Sequence, residues 1–195
     1  MDRILWSDES EFKLNGTVNR HNCTYWARQN WHVQVPVRNN RQGVMVWCGM
    51  SSRALIGPYF FDNSVTGQTY LTMLQEFLWP QIRQRRMLFQ QDGAPPHYAL
   101  PVRQWLDERF PERWIGRRGP YDWPARSPDL TPCDFFFWGY LKDSVYCTRF
   151  STIEQLRGRI RSACARISEE TCRKVCRSAP GRLLDCVERD GQQLP

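Results

Sequence analysis

The apolar residues of this chain fall into short runs separated by turn-forming residues, and the period of each run predicts an element. Residues 3–7 (Arg-Ile-Leu-Trp-Ser) read as a short strand that runs into the acidic cluster Asp8, Glu9 and Glu11. Residues 17–28 and 43–52 are rich in β-branched and aromatic side chains, and the second run (GVMVWCGMSS) is apolar enough for a central strand. A helical stripe follows over 69–85, with Leu71, Leu74, Leu78 and Ile82 on one face and only Pro80 interrupting it. Residues 87–91 predict a buried strand that delivers Asp92 into the turn Gly-Ala-Pro-Pro. Residues 97–110 have helical spacing with Pro101 marking a kink or a late start, 113–118 suit a last strand, and 119–132 form a loop. From Pro132 the chain turns helical: CDFFFWGYLKDSVY first, then 152–167 with Ile153, Leu156, Ile160 and Cys164 on one face, then 170–187 broken near Pro180 and Gly181. The final DGQQLP suggests a frayed end. Strands, helix, strand, helix, strand and helices in that order predict an α/β fold with a mixed central sheet flanked by helices.

With 195 residues, 41% of them hydrophobic, one well-buried core fits and two large domains do not. The expectation is a single domain over 1–195, with residues 1–148 as its core and 149–195 as C-terminal helices. Lysine and arginine outnumber the acids by 27 to 20, and the net charge of +7 with a pI near 9.2 favours a polyanionic partner. Arginine carries most of that excess, in the clusters Arg83, Arg85, Arg86; Arg113, Arg117, Arg118; and Arg157, Arg159, Arg161. Each cluster reads first as a solvated surface, with bidentate phosphate contact as the alternative. No apolar run reaches the roughly 20 residues that span a bilayer, and the opening residues lack the long apolar stretch of a signal peptide. A soluble intracellular chain with no membrane partner is expected. The eight cysteines contain no Cys-x-x-Cys pair, and with His21, His32 and His97 scattered they read as buried reduced thiols rather than a zinc site.

Three acids stand at element ends: Asp8 after the first strand, Asp92 after the strand that follows the long helix, and Asp134 in the first turn of a later helix. Strand ends on one edge of an α/β sheet converge, so Asp8 and Asp92 can face one another. Three gathered carboxylates repel unless cations neutralise them, and hard oxygen ligands suit Mg²⁺ or Mn²⁺. Two such ions, roughly 3.5 to 4 Å apart, serve in-line phosphoryl displacement. Plainer readings stay open. Asp8 and Asp92 suit ordinary turns, Asp134 can close a capping box with Thr131, and Asp129 is a rival third ligand. His97 reads as a structural residue of its turn, with approach to a phosphate or orientation of a carboxylate as alternatives. The run Phe135, Phe136, Phe137, Trp138 with Tyr140 and Leu141 is expected to pack a helix on the sheet rather than stack on bases.

The strings WSDESEF (6–12), FQQDGAPPHYA (89–99) and WPARSPDLTPCDFFFWGYLK (123–142) resemble the three signature blocks of mariner-superfamily DNA transposases, in the same order. The resemblance extends over nearly the whole chain. It implies a ribonuclease H-like fold, with Asp8, Asp92 and Asp134 as the catalytic triad holding two Mg²⁺ or Mn²⁺ ions. It further implies hydrolysis at element ends and attack of the freed 3′ hydroxyl on target DNA, with double-stranded DNA as partner, a homodimer in the active complex and the nucleus as location. In the family the neighbourhood of residues 19–31 can project as a dimer-contacting loop. The sequence departs from its relatives in two respects. With Asp8 so near the start, it is expected to lack the paired helix-turn-helix modules that precede the catalytic domain of full-length members. The stretch between Asp92 and Asp134 is longer than in the commonest members, a change that loop entropy tolerates cheaply. A catalytically inactive, transposase-derived DNA-binding protein is the competing reading, and a ribonuclease or retroviral-type integrase shares the acid chemistry.

Overall fold

A computed structural model describes residues 3–16, 42–124 and 127–194. Strand β1 (Ile4–Lys13) is antiparallel to β2 (Gly43–Met50), and β2 is antiparallel to β3 (Leu55–Phe61). On its other side β1 runs parallel to β4 (Leu88–Gln90), itself parallel to β5 (Trp114–Ile115), so the sheet order is β3-β2-β1-β4-β5. Parallel neighbours need a crossover. The helical stretch α1 (Gly67–Thr72), the π-helical turn Met73–Leu78 and α2 (Trp79–Ile82) supply it between β3 and β4. Helix α3 (Leu100–Arg109) joins β4 to β5, and α4 (Trp138–Tyr146), α5 (Ile153–Ala165) and α6 (Glu169–Glu188) follow the sheet.

Alternation along the strands sorts the core into two layers, one on each face. Ile4, Trp6 and Phe12 of β1 join Val44, Val46, Cys48 and Met50 of β2 against Trp138, Leu141 and Val145 of α4, Leu156 and Ile160 of α5, and Val175 and Ala179 of α6. Leu5, Trp47 and Phe89 point the other way, against Tyr70, Leu74, Leu78, Ile82, Val102 and Leu106. The mixed α/β architecture expected from the sequence is therefore present, with helices on both faces. Among the described residues no cysteine is in a disulfide, and Cys48, Cys133, Cys164, Cys172 and Cys176 are buried. Among the described residues no helix is long and apolar enough to cross a membrane.

Several boundaries differ from the sequence reading. The strand expected over 17–28 and the loop at 19–31 lie outside the described residues. The third strand is β3, which the Gly57-Pro58 pair disguised because proline removes a ladder donor. Pro58 is tolerated because β3 is an edge strand, and the pairing slips between Trp47 and Gly49. Gly57 at φ +118° sits at that slip, where a Cβ would stand 3.1 Å from the Trp47 carbonyl oxygen. Pro80 does not break its helix: a widened π turn precedes it, and Gln81 Nε2 donates to the Phe77 carbonyl at 2.8 Å. Pro101 lies in the first turn of α3, a late start rather than a kink.

Helix α6 runs unbroken through Pro180. Val175 and Ala179 anchor its first half in the core, while Arg182 Nε donates to the Asp129 carbonyl at 2.5 Å and holds the second. The end of the chain is not frayed as expected, since Leu194 is buried and its amide donates to Asp129 Oδ2 at 2.8 Å.

Candidate active site

The register of β1 against β4 decides where two of the acids stand. Trp6 pairs with Gln90, so Asp8 and Asp92, each two residues further along, lie where the parallel strands part. Ser7 Oγ donates to the Gln90 carbonyl at 2.7 Å just before the separation. Asp92 then turns the chain: its Oδ1 accepts the Ala94 amide at 3.0 Å, and Pro95 and Pro96 follow. Asp8 does not end its strand as expected. It lies within β1 opposite Cys48, and what ends beside it is the pairing with β4.

Asp134 arrives from the other face, on the π-helical turn Cys133–Phe137 that leads into α4. Two bonds tie this turn to β1: Cys133 Sγ donates to the Trp6 carbonyl at 3.7 Å, and Trp138 Nε1 donates to Asp8 Oδ2 at 2.6 Å. The capping box left open as an alternative for Thr131 and Asp134 is not formed. The Thr131 hydroxyl donates to Asp134 Oδ2 instead of accepting a backbone amide, and the amide of Asp134 goes to the Thr131 carbonyl at 3.0 Å. Asp129, the rival third acid, uses its carboxylate to hold Leu194 and does not line the cavity.

Asp8, Asp92 and Asp134 line one cavity of about 570 Å³, with Arg117, Trp123 and Thr131 among the other walls. Each acid has one oxygen bonded to the protein: Asp8 Oδ2 to Trp138, Asp92 Oδ1 to His97 and Ala94, Asp134 Oδ2 to Thr131. Burial, then the charges of Asp134, Glu9 and Asp92, push the Asp8 carboxyl well above the usual range. Burial also raises Asp134, which stays exposed, against the hydrogen bond from Thr131. Asp92 goes the other way. Burial alone would raise it, but the bond and charge of His97 hold it below the ordinary value.

His97 is enclosed behind Asp92, with 1% of its surface exposed. Its Nδ1 meets Asp92 Oδ1 at 2.5 Å, and its Nε2 stands 2.9 Å from Glu9 Oε2, at ion-pair distance without hydrogen-bond alignment. Burial would depress the imidazole, but Glu9 first and Asp92 next outweigh it and carry its pKa up to about 10. Glu9 belongs to the same acidic run as Asp8, yet strand alternation turns it to the opposite face of β1, toward Tyr70 and His97.

Arg117 is the one cation lining the cavity among the described residues. Its guanidinium lies 4.2 Å from the centre of the Tyr98 ring, with Arg118 over the same ring at 5.8 Å. Residues 3–157 match the family described as DDE superfamily endonuclease. The chain belongs to that family. This DDE-family chain is 27% identical to the transposable element Tc3 transposase of Caenorhabditis elegans over 98% of its own length and 57% of the relative's. To the Tc1 transposase of the same organism it is 28% identical over 96% of itself and 68% of the relative. It thus spans little more than half of the Tc3 protein. Among solved structures, the catalytic domain of Mos1 mariner transposase superposes with a TM-score of 0.71 at 20% identity, covering all of this chain and 85% of that one. The Mos1 paired-end complex with left transposon end gives 0.78 at 22%, covering all of this chain and 57% of that one. The fold is ribonuclease H-like, as the Mos1 catalytic domain is.

Three contributors to this DDE-family site were missed in the sequence. The sequence places Trp138 among the packing aromatics, and its ring does pack on Phe12 and Phe137, but its indole N–H reaches Asp8. Glu9 was legible in principle, because a β1 extended past residue 7 would have separated its face from that of Asp8. Arg117 stood in a noted cluster, but only the fold shows that it faces the acids.

Proposed function

We propose that this chain is the catalytic domain of a DNA transposase, cleaving phosphodiester bonds at element ends and joining them to target DNA, with Asp8, Asp92 and Asp134 as ligands of two divalent cations. The observation that carries the reading is that three carboxylates, those of Asp8, Asp92 and Asp134, line one cavity. Among the described residues no three such donors converge, as they stand, tightly enough to cage an ion. The donor set nonetheless fits Mg²⁺ or Mn²⁺: the oxygens are hard, their mutual repulsion favours a cation, and each acid keeps one oxygen outside its bond to the protein. When bound, two such ions activate the attacking water or 3′ hydroxyl and stabilise the leaving oxygen.

The chain's own residues supply the setting. Trp138 and Thr131 fix the carboxylates of Asp8 and Asp134, and the stacked Arg117 offers a phosphate a preformed guanidinium at the cavity wall. The net charge of +7 favours duplex DNA as the substrate. Support comes also from Mos1, whose catalytic domain has been solved with Mg and with Mn and which has been solved as a strand transfer complex. On this reading two copies act together on DNA in the nucleus. A nicking assay on supercoiled DNA with Mn²⁺ tests it: cleavage by the native chain is expected, with a loss of at least about 10³-fold in Asp92→Ala. DNA binding without cleavage at any Mn²⁺ concentration would favour a transposase-derived binding protein instead.

A further inference from the structure

We infer that Glu9 and His97 are a buried positioning pair that fixes the Asp92 carboxylate for cation binding, an inference that rests on Asp92 being a ligand. The His97 ring has no freedom to swing. It lies 4.3 Å from the centre of the Tyr70 ring, and its backbone carbonyl accepts from Gln91 Nε2 at 2.8 Å. Gln91 is itself held by the Tyr70 hydroxyl at 3.1 Å, and the His97 amide closes the turn on the Ala94 carbonyl at 3.0 Å. Both ring nitrogens face carboxylates, at 2.5 Å to Asp92 and 2.9 Å to Glu9. Because the Ala94 amide and His97 both engage Asp92 Oδ1, the carboxylate has one settable orientation, with Oδ2 left for a ligand.

Glu9 is the unusual member. Its side chain is 12% exposed and its Oε1 is buried with no hydrogen-bond partner. A buried carboxylate with one idle oxygen is expensive, and a neutral glutamine or an apolar side chain would serve a purely architectural staple between β1 and the Asp92 turn. What a staple does not need, and Glu9 supplies, is a counter-charge that keeps the His97 ring aligned on Asp92 from behind. Outer-shell carboxylate–histidine partners act on metal ligands in this way.

Glu9→Gln and His97→Gln in the full chain test the pair, using calorimetric titration with Mn²⁺ alone, without DNA. The expected result is Mn²⁺ binding weaker by roughly 10- to 100-fold in each variant, in a protein that is less stable in chelator but still folded and cooperative at the temperature of the titration. The double variant should bind no more weakly than the weaker single, because the two residues act through one contact chain. Native-like Mn²⁺ affinity in both folded variants overturns the inference and leaves Asp92 as a ligand. Should His97→Gln unfold, Glu9→Gln decides, since it exchanges one atom at an oxygen pair already half idle. If Glu9→Gln also loses its fold, the pair is a folding staple and the inference is wrong. A native chain that binds no Mn²⁺ would instead remove the reading of Asp92 as a ligand, and the pair's role with it.

Discussion

Asp8 stands where its surroundings disfavour a charge. Burial and the charges of Asp134, Glu9 and Asp92 all disfavour its ionised form, and only the Trp138 indole opposes them. A carboxyl whose folded pKa lies above its unfolded value binds more protons when folded, so stability falls as pH rises above the ordinary carboxylate range. Near neutral pH and in chelator, Asp8→Asn is therefore expected to be more stable than the native chain in urea denaturation; a less stable variant would contradict the charge reading. Trp138→Phe keeps the packing on Phe12 and Phe137 but removes the donor to Asp8. It should cost about 1 kcal/mol of stability, read from the denaturation midpoint, and weaken Mn²⁺ binding as well. A loss of stability with unchanged Mn²⁺ affinity would make Trp138 a packing residue only.

At the scale of elements, prolines and glycines mark both what was legible and what was not. Helix α6 carries Pro180 in its interior, where the ring supplies no N–H. Pro180→Ala is expected to stabilise the fold by about 1 to 2 kcal/mol, less than the full helix-interior penalty because proline also restricts the unfolded chain. No gain in the urea midpoint would show that the helix has already relaxed around the ring. The sequence predicts a break there because propensity sees only the local chain, whereas the core into which Val175 and Ala179 pack, and the Asp129 carbonyl that holds Arg182, come from elsewhere in the fold. The edge strand β3 was hidden for the same reason: Gly57-Pro58 reads as a turn until β2 is present to pair with it. Periodic segments were legible. The stripe Leu71, Leu74, Leu78 and Ile82 faces the core as its spacing requires, and β4 delivers Asp92 to the cavity as the apolar run before it suggested. The local partners were legible as candidates, Thr131 beside Asp134 and His97 beside Asp92, whereas the bond of Trp138 to Asp8 and the approach of Glu9 to His97 were not, because only tertiary geometry makes them.

Across the molecule, the site and the C-terminal helices depend on one layer. Leu156 and Ile160 of α5 and Val175 of α6 share a core with Trp6 and Cys48, the residues that flank and oppose Asp8. We expect the described core to unfold as one unit, so Leu156→Ala should cost about 2 to 5 kcal/mol and lower a single transition seen alike by far-UV and near-UV dichroism. Two separated transitions would divide the C-terminal helices from the rest. Cation binding should stabilise the whole: Mn²⁺ at about 100 times its Kd adds about 2.7 kcal/mol, an increment that Asp8→Asn should abolish. The most direct measurement is a crystal structure of the chain grown with Mn²⁺ and phased on its anomalous signal. The account predicts two anomalous peaks roughly 3.5 to 4 Å apart, within bonding distance of Asp8, Asp92 and Asp134. Ions bound elsewhere, or a cavity that stays free of them at saturating Mn²⁺ with the three carboxylates held apart, would contradict it.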